Sequence, residues 1–464
     1  MTDRRGHPLP AIALVLAMAG GCESPPIDDA EVLEHTANEL ACVVSWTTDE
    51  PASARVEFGA VDEPRWFVDG DASGTDHQVT VIGMRPGTAY TLWAVSATDG
   101  GEQLRSAPMP FETGPTPFAD LVTEVTELDA AATEPGWTLT NVAVRGVNYP
   151  ATAVIFDAEG YPVWYHQLGG GDALVDVEVS WTEDSRVLIG GSVAAGTAPA
   201  EIDLAGEVHW QGPAQPPGDQ LLTPGQMHHS FGRLPGGDHL SLRYDGKDSE
   251  IFDLIEQLSA DGEVVWSWSG LEHLPDDITV YPWGNAALVD DERGVAYYNA
   301  RMADRLFQID REGGEVLWAL GQGGDFSADP DADLPWFTGA HAPELQPGGG
   351  VLLYDNGGAE RGFTRVVEYA LDEDAMTSRI AWEYPGELAD DPWYCAAMGD
   401  ADRLPNGNTL ITAGSLFSDN SRTRIFEVTP DGERVWEMWM SGADEGELAG
   451  AYMAERIPVL VGEL

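Results

Sequence analysis

A tryptophan-bearing hairpin recurs six times in this chain and limits what it can fold into. In these hairpins a tight turn, in which glycine supplies the left-handed conformation, precedes the tryptophan by a few residues. The tryptophans are Trp164, Trp210, Trp266, Trp318, Trp382 and Trp436. Their intervals of 46 to 64 residues are typical of four-stranded propeller blades. The sequence therefore predicts an all-β fold with a six-bladed β-propeller over residues 120–464, each tryptophan packing between neighbouring blades. The turn before Trp382 is assigned to Thr377-Ser378-Arg379.

Residues 31–114 are predicted to form a smaller, separate unit. The run Cys42-Val43-Val44-Ser45-Trp46 alternates as a half-buried strand does. The stretch from Gly83 to Tyr90 resembles the corner of fibronectin type III domains, in which a tyrosine hydroxyl bonds back to the backbone. We expect a fibronectin type III-like β-sandwich that serves as a spacer, joined to the N-terminus by a tether over residues 23–30.

The first 22 residues have the features of an export signal. Arg4 and Arg5 precede a short apolar run over residues 11–19, which is too short for a permanent membrane span. The sequence Ala19-Gly20-Gly21-Cys22 resembles a bacterial lipoprotein cleavage box. We expect a signal peptide over residues 1–22 and a cell-envelope lipoprotein (outer membrane, periplasmic or surface side) whose membrane contact is a lipid on Cys22. An ordinary secretory signal is the alternative, and under both readings the protein leaves the cytoplasm.

The charge of the chain restricts its ligands. The net charge is −56, from 79 acidic residues and 23 Lys and Arg. Such a field repels nucleic acid and anionic lipid, so neither is an expected partner. It also repels anionic small molecules, so an anionic substrate would need cationic side chains close to its pocket. The sequence leaves the oligomeric state open, a homodimer included.

No metal or cofactor is expected from the sequence. Cys42 and Cys395 fall in different predicted domains and are expected to be buried free thiols, and the chain has no CxxC motif or Cys/His cluster. The closely spaced acidic residues Asp325, Asp329, Asp331 and Asp333 could bind calcium, but they lack the EF-hand spacing. A solvated acidic loop is the interpretation we favour for them.

Three inner-strand turns point to a site in the propeller channel. They are Leu234-Pro235-Gly236-Gly237, Gln346-Pro347-Gly348-Gly349 and Leu404-Pro405-Asn406-Gly407. The residues five positions before these turns are His229, His341 and Gly399, and His228 adds a third imidazole. Inner strands line the channel of a propeller, so histidines far apart in sequence can meet there. A lone histidine is more often satisfied by a loop carbonyl, but the repetition favours a functional site.

Several motifs together resemble the bacterial arylsulfate sulfotransferase family over residues 120–450. They include Met227-His228-His229-Ser230-Phe231, Trp283-Gly284-Asn285, Tyr298-Asn299-Ala300-Arg301, Gly339-Ala340-His341-Ala342-Pro343 and Tyr354-Asp355-Asn356-Gly357. Members of this family are six-bladed propellers of the periplasm or cell surface. They move a sulfuryl group from an aryl sulfate ester to a phenol without 3′-phosphoadenosine 5′-phosphosulfate.

The resemblance implies roles for individual residues. His341 matches the nucleophile that carries the sulfuryl group, and His228 or His229 matches a second channel histidine. Asn285 and Arg301 match the groups that hold the sulfate oxygens, and Asn356 belongs to the substrate-binding set. Imidazole is a competent nucleophile near neutral pH, and Arg and Asn donate well to the developing charge.

The chain departs from the family pattern at Trp283. The family usually reads His-x-Asn where this chain reads Trp283-Gly284-Asn285. An indole cannot give a proton to a leaving phenolate, although its N–H can donate a hydrogen bond and its face can stack on an aryl ring. Acid assistance is therefore expected from His228, or the leaving group must be a good one. Loss of catalysis is the other outcome that Trp283 allows.

Two other functions fit parts of the sequence. A quinoprotein-like dehydrogenase propeller has similar hairpins, but it usually needs eight blades. A non-catalytic cell-surface propeller that binds a ligand or protein partner would explain Trp283, whereas the histidines and Arg301 favour the sulfotransferase.

Overall fold

The computed structural model describes residues 26–464 except 36, 61–62, 119, 145–150, 169–176, 194, 217–222, 248–249, 280, 386–392, 415–421 and 443–448. The predicted signal peptide and Cys22 lie outside the described residues. No helix in this part of the chain is long and apolar enough to cross a membrane.

The N-terminal part is built from nine strands. They are β1 (Pro26–Ile27), β2 (Glu31–Glu34), β3 (Cys42–Ala52), β4 (Arg55–Gly59), β5 (Trp66–Asp69), β6 (Gly74–Val81), β7 (Ala89–Ala97), β8 (Gln103–Ser106) and β9 (Met109–Glu112). They form a sheet β2-β3-β6 and a sheet β1-β8-β7-β4-β5, with β9 also paired to β7, around one apolar core. The Arg85 backbone N–H donates to the Tyr90 hydroxyl at 2.9 Å.

The rest of the chain adds strands β10 to β37. The first group comprises β10 (Leu121–Leu128), β11 (Trp137–Asn141), β12 (Ala143–Val144), β13 (Ala151–Phe156), β14 (Pro162–Leu168), β15 (Val177–Trp181), β16 (Val187–Gly191), β17 (Ala200–Ile202), β18 (Val208–Gln211), β19 (Met227–Arg233), β20 (His239–Lys247), β21 (Glu250–Leu258) and β22 (Val264–Ser269). The second group comprises β23 (Gly284–Asp290), β24 (Val295–Ala300), β25 (Arg305–Asp310), β26 (Val316–Gly321), β27 (His341–Gln346), β28 (Gly350–Asp355), β29 (Arg365–Asp372), β30 (Thr377–Pro385), β31 (Asp400–Arg403), β32 (Thr409–Ala413), β33 (Arg422–Val428), β34 (Arg434–Gly442), β35 (Ala449–Gly450), β36 (Ala454–Ile457) and β37 (Gly462–Glu463). A helical turn, α1 (Gly270–His273), and a 3₁₀ turn at Arg301–Ala303 complete the elements.

These strands form six antiparallel blades. Blade 1 is β36-β11-β13-β14, blade 2 is β15 to β18, blade 3 is β19 to β22, blade 4 is β23 to β26, blade 5 is β27 to β30, and blade 6 is β31 to β34 with β10 at its outer edge. The inner strands contact one another in the order β36, β15, β19, β23, β27, β31, and β36 returns to blade 6 through β32. The second strands, such as Val187–Gly191 of blade 2, are buried along their length, which explains why they are apolar without alternation. The six-bladed prediction is confirmed.

The repeated tryptophans join each blade to the next. The indole N–H of Trp164 donates to the carbonyl of Leu204 in blade 2 at 2.9 Å, and that of Trp436 donates to the carbonyl of Ala158 in blade 1 at 2.9 Å. The second bond closes the ring. One turn differs from the prediction, because β30 already begins at Thr377 and the left-handed residue before it is Met376. The turn of blade 5, residues 373–376, is thus one residue shorter than the corresponding turns of the other blades and contains no glycine.

The ends of the chain differ from the predicted boundaries. Pro26–Ile27 pair with β8 of the sandwich, although they fall in the predicted tether. Gly462–Glu463 pair with β5, so the C-terminus returns from the propeller to the sandwich. Arg85 forms an ion pair with Asp157 of blade 1 at 2.6 Å. The two parts therefore share a continuous interface.

Candidate active site

His341 begins the inner strand of blade 5 and follows a loop whose backbone N–H groups donate hydrogen bonds to two carboxylates. The Thr338 N–H donates to Oδ1 of Asp355 at 2.9 Å, and the Gly339 N–H donates to Oδ1 of Asp304 at 2.6 Å. Both carboxylates come from neighbouring strands or turns, so the backbone before His341 is fixed from two sides. The imidazole is 2% exposed and is thus withdrawn from bulk water.

Asn356 determines which nitrogen of His341 carries the proton. Its Nδ2 donates to the carbonyls of Cys395 at 2.9 Å and Met398 at 2.8 Å, which makes Oδ1 the acceptor end of the amide. This Oδ1 lies 2.6 Å from Nδ1 of His341. Nδ1 must therefore donate, and the lone pair of His341 is on Nε2. The Met398 N–H donates to that Nε2 at 3.3 Å.

The surroundings of His341 keep it neutral. Burial and, to a lesser extent, the positive charge of Arg301 lower its pKa to about 3, whereas the bond to Asn356 opposes the shift. At neutral pH the ring is uncharged, and the Nε2 lone pair, which accepts the Met398 N–H at 3.3 Å, can form a bond once that contact opens. The site therefore presents an uncharged imidazole of fixed orientation.

Arg301 and Trp283 lie on segments that are bonded together. Arg301 begins the 3₁₀ turn after β24, is half-buried, and donates from Nη2 to the carbonyl of Ala396 at 2.8 Å. The next residue, Met302, donates its N–H to the carbonyl of Pro282 at 2.8 Å, which joins the turn to the segment of Trp283. Trp283 is also half-buried, and its ring lies 5.4 Å from that of Tyr281. Arg301 thus brings a positive charge to the His341 side of the site.

Tyr452 lies between the two channel histidines and was missed by the sequence analysis. Its ring centroid is 6.0 Å from that of His229 and 6.3 Å from that of His341, edge-on in both cases. Its hydroxyl lies 3.5 Å from the carbonyl of Asn285. The residue precedes β36, the strand that closes blade 1, so only the ring closure brings it to the site.

His228 and His229 face different surroundings. His229 contacts Tyr452, whereas His228 stacks on Tyr244 at 4.0 Å and points into its own blade. His229 is therefore the channel histidine of the pair. Counting back from the turns aligned His229 with His341, but the structure offsets the two histidines by one position. In β19 the residue with left-handed backbone is His229 itself, whereas in β27 it is Ala342, the residue after His341. An extra residue in the bulge between Met227 and Phe231 explains the difference.

Strained backbone surrounds the site. The positive-φ residues other than glycine include His229 (48°), Trp283 (51°), Ala342 (44°) and Met398 (66°). Each lies at the start of an inner strand, in blades 3, 4, 5 and 6 respectively. Left-handed conformations cost non-glycine residues energy and persist where the surroundings impose them. Their grouping around His341 indicates a site whose geometry is set before a ligand arrives.

Asn285 belongs to a series of clasps, by which we mean hydrogen bonds from a side chain of one inner strand to the backbone of the neighbouring inner strand. Its Nδ2 donates to the carbonyl of Ala340, next to His341, at 2.9 Å, and its Oδ1 accepts from Asn299 at 2.7 Å. Similar clasps join other neighbouring blades: Glu455 to the N–H of Trp181 at 2.7 Å, Glu178 to that of Phe231 at 2.5 Å, Ser230 to that of Ala287 at 3.3 Å, and Glu344 to that of Arg403 at 2.9 Å. Asn285 thus fixes the backbone beside His341.

The channel beyond Tyr452 is acidic. A cavity of ≈410 Å³ is lined by Tyr452, Glu178, Glu344, Asp400 and Asp402, among others. Burial raises the pKa of Glu178, raises that of Asp400 to about 7 and raises that of the neighbouring Glu455 to about 8. Burial therefore favours the protonated, uncharged form of these groups, and the positive charge that suits an anion lies at the Arg301 end of the site.

The acidic loop before β27 has a structural explanation. Oδ2 of Asp325 accepts from the Ala319 N–H at 2.8 Å, and Oδ2 of Asp329 accepts from the Ile380 N–H at 2.9 Å. These carboxylates bind backbone amides at the outer edge of the propeller. Calcium binding by this loop stays untested. Cys42 and Cys395 are buried free thiols, as predicted.

The residues predicted from the sequence that the structure brings together are His341, Asn356, Asn285, Arg301 and His229.

The chain was also compared with known proteins. No curated protein matches the sequence. Among solved structures, the periplasmic gluconolactonase PpgL of Pseudomonas aeruginosa is similar at 12% identity, with a TM-score of 0.36 and coverage of 87% of this chain and 100% of that one. A chain of a nidogen–laminin complex has 11% identity, a TM-score of 0.38 and coverage of 68% of this chain and 97% of that one.

The family comparison covers most of the propeller. The family described as Arylsulfotransferase (ASST) matches residues 122–449, which include each residue of the site from His228 to Met398. The chain belongs to the arylsulfotransferase family.

Proposed function

We propose that this chain transfers a sulfuryl group from an aryl sulfate ester to a phenol through a sulfohistidine on His341, without 3′-phosphoadenosine 5′-phosphosulfate. The observation that carries the proposal is the 2.6 Å contact between Nδ1 of His341 and Asn356, which directs the lone pair to Nε2. A buried neutral imidazole beside a cationic Arg301 is suited to attack sulfur in an anionic ester.

The reaction proceeds in two half-reactions. Nε2 of His341 attacks the sulfur, and the bond from sulfur to the aryl oxygen breaks. The oxygen keeps the electron pair and leaves as phenolate, or as phenol where a channel acid supplies the proton. An acceptor phenol, its proton passing to a base, then attacks the sulfur, the bond from sulfur to Nε2 breaks, and the neutral histidine returns. Arg301 balances negative charge on the sulfuryl oxygens, and Asn285 holds the carbonyl of Ala340 so that the backbone before His341 does not shift. Donor and acceptor use the same pocket in turn, which predicts ping-pong kinetics.

The test is a donor-only incubation. The purified chain is mixed with 4-nitrophenyl sulfate, and the His341 peptide is examined by mass spectrometry under alkaline conditions for a sulfuryl adduct. Transfer to phenol is measured in parallel for the wild-type chain, for His341→Ala and for His209→Ala, a matched control on the outer strand of blade 2. We expect an adduct on His341, no transfer by His341→Ala and normal transfer by His209→Ala. Active protein without the adduct, or transfer that survives in His341→Ala, would overturn the mechanism.

The location of the protein is proposed from its sequence. We propose export and attachment to the cell envelope through a lipid on Cys22. Labelling with a radioactive fatty acid should mark the wild-type chain and not Cys22→Ser, and equal labelling of both would contradict the anchor.

A further inference from the structure

A line of three buried side chains extends from His229 into blade 3. Nδ1 of His229 lies 2.9 Å from Nδ1 of His228, and Nε2 of His228 lies 3.1 Å from Oδ1 of Asp253. The second contact lies within ion-pair distance but does not meet the geometry of a hydrogen bond. The exposed fractions are 6% for His229, 1% for His228 and 0% for Asp253, so bulk water does not separate them.

The carboxylate of Asp253 accepts hydrogen bonds from the groups around it. Tyr281 donates its hydroxyl to Oδ1 at 2.7 Å, the Gly284 N–H donates to Oδ2 at 2.7 Å, and Tyr298 donates to the same Oδ2. Burial and the charge of Asp253 raise the pKa of both tyrosines, so these hydroxyls keep their protons. His228 is the basic group within ion-pair distance of Asp253 among the described residues. A carboxylate this deeply buried needs a positive charge nearby, which the His228–His229 pair can carry.

The carboxylate orders the protons along the line. If the Nε2–H of His228 points toward Asp253, Nδ1 of His228 carries a lone pair. That lone pair accepts a hydrogen bond from the Nδ1–H of His229. Nε2 of His229 is then the nitrogen that exchanges a proton with a substrate. The contact of His228 with Tyr244 at 4.0 Å fixes the ring plane that this arrangement needs.

We propose that Asp253 and His228 are positioning residues that make His229 the general acid and base of the transfer, in place of the histidine that Trp283 replaces. The inference rests on the proposed function. Its basis is the contact geometry of the three side chains and the position of Tyr452. The ring of Tyr452 contacts both His229 and His341, so the two histidines lie at the same site.

The proton balance closes over one cycle. In the donor half-reaction, His229 begins with protons on both nitrogens and gives the Nε2 proton to the aryl oxygen as the sulfur–oxygen bond breaks. The electron pair of that bond stays with the departing phenol. In the acceptor half-reaction, Nε2 of His229 removes the proton of the phenol as its oxygen attacks sulfur. Asp253 stabilises the positive charge while it is present, and His228 stays neutral throughout.

The experiment measures donor half-reaction rates for aryl sulfates that differ in leaving group, from 4-nitrophenyl to phenyl sulfate. General acid catalysis contributes about 100-fold or more for a leaving group that needs a proton and little for one that does not. We therefore expect Asp253→Asn to slow phenyl sulfate by about 100-fold and 4-nitrophenyl sulfate by less than about 5-fold. His228→Asn, which can still accept from His229 but cannot reach Asp253, should show the same selectivity.

Tyr298→Phe is the matched control, because it removes a hydrogen bond to Asp253 and keeps the charge. We expect it to change both donors by similar factors. If Asp253→Asn or His228→Asn folds and slows both donors equally, or neither, the relay is wrong. A wild-type chain without transfer or adduct would instead overturn the proposed function.

Discussion

Nδ1 of His341 and Oδ1 of Asn356 lie 2.6 Å apart, and this contact decides both the tautomer and the charge of the imidazole. In Asn356→Asp a carboxylate replaces the amide oxygen. An adjacent anion favours the imidazolium form, so the pKa of His341, now about 3, should rise toward neutrality. The donor half-reaction needs the neutral ring, so its rate should fall as the pH decreases through the new pKa. Rates measured from pH 4 to 8 should show an acid limb that the wild-type chain lacks.

The same variant has a second consequence. A carboxylate cannot donate to the carbonyls of Cys395 and Met398, so the loop that holds Nε2 should also loosen. Asn356→Ala separates the two effects, because it removes the same donors without adding charge. An acid limb at the same pH in both variants would contradict the electrostatic account.

Arg301→Ala should slow the donor half-reaction by about 100- to 1,000-fold, as loss of one donor to a developing charge does in other enzymes. Arg301→Lys should recover part of this loss, because the charge returns without the planar fork. Arg305→Ala is the matched control, since Arg305 lies four residues later and pairs with Asp277 at 2.7 Å. Steady-state rates with 4-nitrophenyl sulfate measure the three variants. Equal losses in Arg301→Ala and Arg305→Ala would show that Arg301 has no specific role.

The repeat made the fold predictable, and the site was predictable only in part. A tryptophan at a fixed place in each blade implies neighbours that it packs against, so the ring followed from spacing alone. His341 and Arg301 could be found because they lie in motifs near the turns of their own blades. Asp253 and Tyr452 could not be found this way, because a third strand and the ring closure bring them in. Neither the strand of Asp253 nor the segment of Tyr452 has a local sequence pattern that indicates which side chain reaches the site.

Backbone geometry limited the rest. Counting residues back from a turn assumes regular strands, but the bulge between Met227 and Phe231 adds a residue and shifts the alignment of His229. Asn285 was expected to hold sulfate, whereas its amide is engaged with Ala340 and Asn299. Hydrogen bonds between blades depend on how the blades pack, which residue spacing does not encode.

Trp283→His should restore what the family has at this position. The backbone there is left-handed, with φ of 51°, a conformation that histidine tolerates better than most residues. An added imidazole could assist a leaving phenolate, so turnover of phenyl sulfate should rise more than that of 4-nitrophenyl sulfate. Comparison of kcat for both donors is the measurement. Equal changes would show that position 283 takes no part in leaving-group chemistry.

Glu455→Gln should change how stability depends on pH. Burial raises the pKa of Glu455 to about 8, above its ordinary value of 4.5. The folded chain therefore binds a proton more tightly than the unfolded chain, and the stability that this proton contributes is full below pH 4.5 and lost as the pH rises through 8. A glutamine keeps an acceptor for the Trp181 N–H and carries no charge at any pH, so the fall in unfolding free energy between pH 5 and 9 should shrink by a few kcal/mol, on the order of a pKa shift of this size. Denaturant unfolding of both proteins at pH 5, 7 and 9 measures it, with the exposed Glu263→Gln as a control. A variant that follows the wild-type pH profile would mean that Glu455 is ionised in the folded channel and that its charge is balanced there.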